Sequence, residues 1–360
     1  MKIITNPIEL AKKLVSIKSE SGNEEAVTKF IFNYLASIGL KPKLQKIEKN
    51  RNNVFVVGQG PVLFNCHIDT IPIGQKTSWQ HNPLGEIKTG KLFGRGSCDT
   101  KGNAACILSA LAKNPSRNVS CSFTVGEENT MVGVRQLMKL RRTNLKQIKY
   151  CVNLEPTELK IISAHKGRMF FTVLASGKAA HGSVPSQGDN AIVKLANVTL
   201  SINKFATSLK KIKHPILGNP TLNIGVIKGG VMANIVPDKA EIEVDVRILP
   251  NQGIKQFIAN FTKAAKPAKV ELISYLDPVE LKINSDIIEK MKLILKELGL
   301  ESKSQGIFYT TEFSELKKHN IQGLIFGAGS INQAHMIDEY VKIKELQLCH
   351  QALGKLIKIV

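Results

Sequence analysis

Residues 62–70 read VLFNCHIDT: a run of apolar residues that ends in a histidine and, two positions on, an aspartate. The pattern recurs. CSFTV (121–125) precedes Gly126-Glu127-Glu128, YCVNL (150–154) precedes Glu155, and LIF (324–326) opens the glycine-rich stretch that leads to His335. Short apolar runs of this kind read as buried strands. In an open α/β sheet the carboxyl ends of neighbouring strands converge on one crevice, so polar residues that follow different strands meet there however far apart they lie in sequence. The chain is therefore expected to assemble one polar site from scattered segments.

Outward from these strands, the periodicity predicts helices between them. Asn6 is placed to cap a helix with Pro7 at its first position, and Ile8, Leu10, Leu14 and Ile17 recur near helical spacing. A second helix is expected over 23–39. Alternating helices and apolar strands up to Glu155 imply an α/β fold, a mostly parallel central sheet flanked by helices. From about Arg168 the texture changes. MFFTVLAS, a helix near 189–210, TLNIGVIKGG, AEIEVDVRIL, a helix near 252–265 and KVELISY follow a β-α-β-β-α-β order, that of a small ferredoxin-like α+β domain. The expected division is a catalytic domain of residues 1–167 and 277–360 with an insertion over 168–276. After it come the helix IIEKMKLILKELGL, a strand over 323–326 and a terminal helix after Lys342.

Composition narrows the class. The 360 residues are 43% hydrophobic and 22% charged, a globular balance. No apolar stretch approaches the roughly 18–20 residues that span a bilayer, and the start MKIITNPIELAKK lacks the apolar core of a secretion signal, so a cytoplasmic location without membrane attachment is expected. The six cysteines form no CxxC pair and several sit inside apolar runs, so free thiols are expected. The net charge of +21 raises a nucleic-acid partner. The lysines are nevertheless spread along the chain, without basic runs beyond the Lys210, Lys211, Lys213 cluster, which favours a solvated lysine-rich surface.

Taken singly, each motif has a bland counterpart. His67 is an ordinary polar residue at a strand end, or a metal ligand whose ring Asp69 orients. Asp99, in GRGSCDTKG, is a helix cap or a ligand. Glu127-Glu128 is a solvated loop or a pair that needs a cation nearby. Taken jointly they change meaning. A histidine–carboxylate pair on each of two sides, joined by an aspartate, suits two adjacent zinc-type ions, and the spare glutamate then has a role as base.

FNCHIDTIPIG, LFGRGSCDTKG, VGEEN, LEPTELKIISAHKG, AAHGSVPSQGDNAI, PTLNIGVIKGG with the following AN, and GAGSINQAHMIDEYV together resemble the di-zinc aminoacylase and carboxypeptidase family, over residues 60–345. The resemblance implies a metallopeptidase-type catalytic domain with an inserted dimerisation or lid domain. It implies one zinc, or cobalt, on His67 and Glu155, a second on Glu128 and His335, and Asp99 bridging both. Glu127 would be the general base, and Asp69, orienting the His67 ring, would count among the catalytic residues. His181 would reach across a homodimer to stabilise an oxyanion, though in AAHGS it reads equally as a loop histidine. Asn234 and Arg247 lie where members contact the substrate carboxylate, with an Asp245–Arg247 ion pair as the competing reading. A cis peptide is implied at Asp99-Thr100. Three departures stand out: SCDTKG lacks the usual methionine after the aspartate, LEPT replaces GEPT, and GAGS replaces GPGS.

YTTEFSEL and GSINQAHMIDEY resemble the deacetylase branch, implying hydrolysis of N-acetyl-L-ornithine, with Glu312 either receiving the substrate's ammonium or lying on the surface. The desuccinylase branch remains the alternative, because its anionic substrate gains more from the positive field. A basic binding protein on a hydrolase scaffold that has lost catalysis is the alternative from another class.

Overall fold

The structure is a computed structural model that describes residues 3–360. In chain order it comprises α1 (Pro7–Ser16), α2 (Glu25–Ser37), β1 (Lys43–Glu48), β2 (Arg51–Val56), β3 (Val62–His67), α3 (Lys101–Lys113), β4 (Ser120–Thr124), α4 (Val132–Lys139) and β5 (Tyr150–Leu154). Then follow β6 (Gly167–Ser176), α5 (Ala191–Ser208), β7 (Thr221–Gly229), β8 (Lys239–Ile248), α6 (Ile254–Ala264) and β9 (Lys269–Leu276), and finally α7 (Asp286–Glu297), α8 (Phe313–Lys318), β10 (Gln322–Phe326) and α9 (Ile343–Ile359). Two compact units emerge. The larger holds residues 1–163, 281–305 and 311–360, the smaller 164–280 and 306–310. The division thus falls a few residues outside the expected 168–276 on both sides, and the smaller unit also takes in 306–310.

In the larger unit the strand order is β1-β2-β4-β3-β5-β10. The four strands β4, β3, β5 and β10 run parallel, while β1 and β2 close one edge as an antiparallel hairpin. Every residue of β3 and β4 is buried, as expected for parallel strands covered on both faces. Helix α3 is buried from Lys101 to Leu111, with α1 and α9 packed against it, and its buried polar residues Lys101, Asn103 and Ser109 are hydrogen-bonded. Asn6 caps α1, its Oδ1 accepting from the N–H groups of Ile8 and Glu9 at 2.9 and 3.4 Å. No helix among the described residues is long and apolar enough to cross a membrane.

The smaller unit is a four-stranded antiparallel sheet in the order β7-β8-β6-β9. Alternate residues of β6 (Met169, Phe171, Val173, Ala175) and β8 (Ile242, Val244, Val246, Ile248) face one side. There α5 offers Leu195, Val198 and Ile202 and α6 offers Phe257 and Phe261, with the Phe171 and Phe261 rings 4.5 Å apart. A short pair, Ala180–His181 against Ile235–Val236, was not foreseen from the sequence. Strands of two residues each, beside a proline-bearing loop and a glycine-rich one, are too short to show strand periodicity.

One buried ion pair bears on the site. Arg51 donates from Nε and Nη2 to both oxygens of Glu24, at 2.9 and 2.7 Å, and Glu24 is fully buried. Arg51 also underlies the turn at Gly126, where φ is +73° and a Cβ would lie 2.8 Å from Nη2, so only glycine fits. Glu24→Ala strips this buried guanidinium of two hydrogen bonds and leaves it only the more exposed Glu48, 2.9 Å from Nη1. It should destabilise the fold by about 3–5 kcal/mol, read as a lowered urea midpoint at unchanged slope.

Candidate metal centre

Because β3, β4, β5 and β10 are parallel, their carboxyl ends lie along one edge of the sheet. His67 ends β3, Gly126-Glu127-Glu128 follows β4, Glu155 follows β5, and the loop after β10 reaches His335, which adopts a left-handed φ of +67°. Asp99 comes from the turn before α3. The Asp99-Thr100 peptide is cis, and the helix cap position is Thr100, so the reading of Asp99 as a simple cap does not hold.

Two clusters of ligand atoms form, His67–Asp99–Glu155 and Asp99–Glu128–His335, each within 4.8 Å, and they share Asp99. Its Oδ1 lies 3.0 Å from His67 Nε2 and its Oδ2 lies 3.6 Å from His335 Nε2. His335 Nε2 is also 2.8 Å from Glu128 Oε2. One carboxylate thus turns one oxygen to each histidine.

The donor set fits two divalent cations. Imidazole and carboxylate suit a borderline metal such as zinc, whose bonds to them are about 2 Å long, so atoms about 3 Å apart can share one ion. Glu128 Oε1 is buried without a hydrogen-bond partner, as expected of an oxygen reserved for a cation. Electrostatics agree. Burial, with the charges of Glu155, Glu128 and Asp99, holds the Glu127 carboxyl well above the usual range although His67 opposes it. Burial and the charges of Asp99, Glu312 and Glu128 do the same to Glu155, again against His67, and burial with Asp99 raises Glu128. His67 is raised, against the cost of burial, by its hydrogen bonds to Asp69 and Asp99. His335 is raised chiefly by its hydrogen bond to Glu128.

Asp69 does more than face the imidazole. Its main-chain oxygen lies 3.1 Å and its Oδ1 3.5 Å from His67 Nδ1. The carboxylate also accepts the N–H groups of Glu127 at 3.0 Å and Glu128 at 3.2 Å, and the Ser21 hydroxyl at 2.6 Å. Although burial opposes it, these donors and His67 keep its carboxyl below the usual range.

Of the remaining candidates, His181 is exposed on its short strand and accepts the Ser183 N–H at Nδ1, 3.1 Å, which leaves Nε2 to carry the proton. Asn234 is brought beside it, its carbonyl accepting the Gly182 N–H at 2.7 Å. Arg247 is on β8 and donates from Nε and Nη2 to Asp245, at 3.2 and 2.9 Å, so the ion pair weighed from the sequence is present. Glu312, expected at the substrate's ammonium or on the surface, has no exposed area. It accepts from Asn65 Nδ2 at 2.6 Å and Thr124 Oγ1 at 2.8 Å inside the larger unit.

The sequence reading missed Glu339. Its Oε1 accepts the N–H groups of Cys98 and Asp99 at 2.9 and 3.1 Å, and its Oε2 pairs with Arg95 at 2.6 Å, so it frames the shared aspartate. Nothing in HMIDEYV marks one acid from the other. Of the three motif departures, GAGS has a local account: Ala328 has an N–H that proline would lack, and it donates to Asn103 Oδ1 at 2.8 Å.

Comparison with known proteins gives the family. The model of peptidase family M20/M25/M40 matches residues 63–359, and the chain belongs to that family. It is 30% identical to a probable succinyl-diaminopimelate desuccinylase of Staphylococcus aureus, over 93% of this chain and 92% of that one. It is 29% identical to an acetylornithine deacetylase of Vibrio cholerae, over 89% and 88%. Among solved structures, a tripeptidase from Staphylococcus aureus superposes with a TM-score of 0.80 at 21% identity, covering 100% of this chain and 99% of that one. A dinuclear metal-binding M20 peptidase from Bacillus subtilis gives 0.72 at 16%, covering 99% and 97%.

Carboxyls and histidines held above their ordinary range bind protons more tightly than usual, in competition with a cation. Binding of zinc or cobalt should therefore release protons and weaken as the pH is lowered. Calorimetry in buffers of different ionisation enthalpy measures both, and affinity independent of pH would contradict the assignment.

Proposed function

We propose that the chain is a two-metal amidohydrolase that cleaves the amide bond of N-acyl amino acids, with N-acetyl-L-ornithine, split to ornithine and acetate in arginine biosynthesis, as the first substrate to test. The observation that carries this reading is Asp99 with one oxygen toward each histidine. His67, Asp99 and Glu155 would hold one cation and Asp99, Glu128 and His335 the other, as zinc or cobalt. Such a pair supplies Lewis acidity toward the amide carbonyl and makes water acidic near neutral pH.

The chain's own residues do the rest. Glu127, next to a ligand and with a carboxyl disposed to hold a proton, takes one from the attacking water as the oxygen bonds to the acyl carbon. It then passes that proton to the amine nitrogen as the C–N bond breaks. Asp69 fixes the Glu127 backbone while it does so. The His181 Nε2–H is a free donor suited to a developing oxyanion, supplied across a homodimer. That pairing is favoured by the edge strand β7 and the exposed Ile227, Val231 and Met232 of the smaller unit. Asn234 and Arg247 would take the substrate carboxylate, Arg247 dividing its guanidinium between that group and Asp245. The buried Glu312 has no ammonium-binding role in this reading.

The second reading is a succinyl-amino-acid substrate, favoured by the net charge of +21 and by the desuccinylase relatives. Chelator-treated protein, reloaded with zinc or cobalt, should release acetate from N-acetyl-L-ornithine faster than succinate from succinyl-diaminopimelate. The reverse order would select the second reading. Glu127→Gln should keep both cations yet lower kcat by about 10²- to 10⁴-fold, whereas Asp99→Ala should lose both on a metal-content measurement. An active Glu127→Gln variant would end the base assignment.

A further inference from the structure

A polar ladder crosses the interior of the larger sheet just below the metal centre. Asn65 on β3 lies opposite Ser122 on β4 and Asn153 on β5. Strand alternation puts Asn65 on the same face as His67, two residues on. Polar side chains inside an otherwise apolar sheet are costly unless each is hydrogen-bonded.

Here the bonds have a direction. The Ser122 hydroxyl donates to Asn65 Oδ1 at 2.5 Å, Asn65 Nδ2 donates to Asn153 Oδ1 at 2.7 Å, and Asn153 Nδ2 is left to face Glu155 Oε1 at 3.4 Å. An amide can point either way, but a carboxylate only accepts. Glu312 accepts from the same Asn65 Nδ2 at 2.6 Å and from Thr124, whose strand position is opposite His67. Its fixed polarity obliges Asn65 to present the NH₂ group, Asn153 then to present its oxygen to Asn65, and Glu155 to receive a donor.

We propose that Glu312 is a positioning residue that sets the direction of the Asn65–Asn153 amide chain and thereby holds Glu155 as a metal ligand. The inference rests on the two-metal reading above, and cobalt titration followed by visible absorption separates the two. Partners that orient metal ligands typically carry 10- to 100-fold in affinity. Glu312→Ala should weaken one of the two cobalt sites by about that factor and change its absorption band, leaving the other site as in wild type. Asn153→Ala, which keeps Glu312 but cuts the chain before Glu155, should reproduce the effect and serves if Glu312→Ala does not fold. Glu312→Gln, which retains an acceptor oxygen, should stay within about threefold of wild type.

Unaltered cobalt affinity and spectrum in the foldable variants overturns the inference alone. A Glu312→Gln protein as impaired as Glu312→Ala also overturns it, because the effect would then lie in the lost charge. Wild-type protein that binds no cobalt overturns the two-metal reading and this inference with it.

Discussion

The crowding of carboxylates around Asp99 governs this molecule. Asp99, Glu127, Glu128 and Glu155 gather at one sheet edge, and burial and mutual repulsion raise three of them. Two histidines are too few to neutralise that charge. Charge crowded in this way is relieved by protons or by cations, and the two candidate ligand groups meet where Asp99 shows an oxygen to each side.

The parallel strands make the crowding achievable. Each of β3, β4, β5 and β10 delivers one acidic or histidine-bearing loop to the same edge, and the buried helix α3 follows the turn that carries Asp99. The supports are as ordered as the ligands. Asp69 gathers the backbone of Glu127 and Glu128, Glu339 gathers that of Cys98 and Asp99, and Arg51 fills the space under Gly126. Asp69 and Glu339 each accept two main-chain N–H groups, so the turns that carry the candidate ligands are held by carboxylates other than the ligands themselves.

What could be read from the sequence followed from local pattern. Apolar runs ending in His67, Glu127 or Glu155 announced both strands and site, Asn6-Pro7 announced α1, and period-two alternation in MFFTVLAS and AEIEVDVRIL announced the sheet of the smaller unit. Resemblance added which acids pair with which histidines. The limits of reading were tertiary. Glu312 sits among polar neighbours in YTTEFSEL and reads as exposed, because the donors that make its burial tolerable, Asn65 and Thr124, come from strands about two hundred residues earlier. Glu339 was unreadable for the same reason. Asn65 and Asn153 did leave a trace: each is a polar residue inside an apolar strand, two places before a candidate ligand.

Asp69 also bears on how such a centre can diverge. One side chain touches the ring of His67 and the main chain of both acids after β4, so Glu127, Glu128 and the imidazole are tied to a single carboxylate. Mutations that reshape a recognition surface elsewhere can accumulate without changing the spacing among these three groups. That spacing depends on the donors Asp69 keeps, the N–H groups of Glu127 and Glu128 and the Ser21 hydroxyl, and not on the outer surface of the fold.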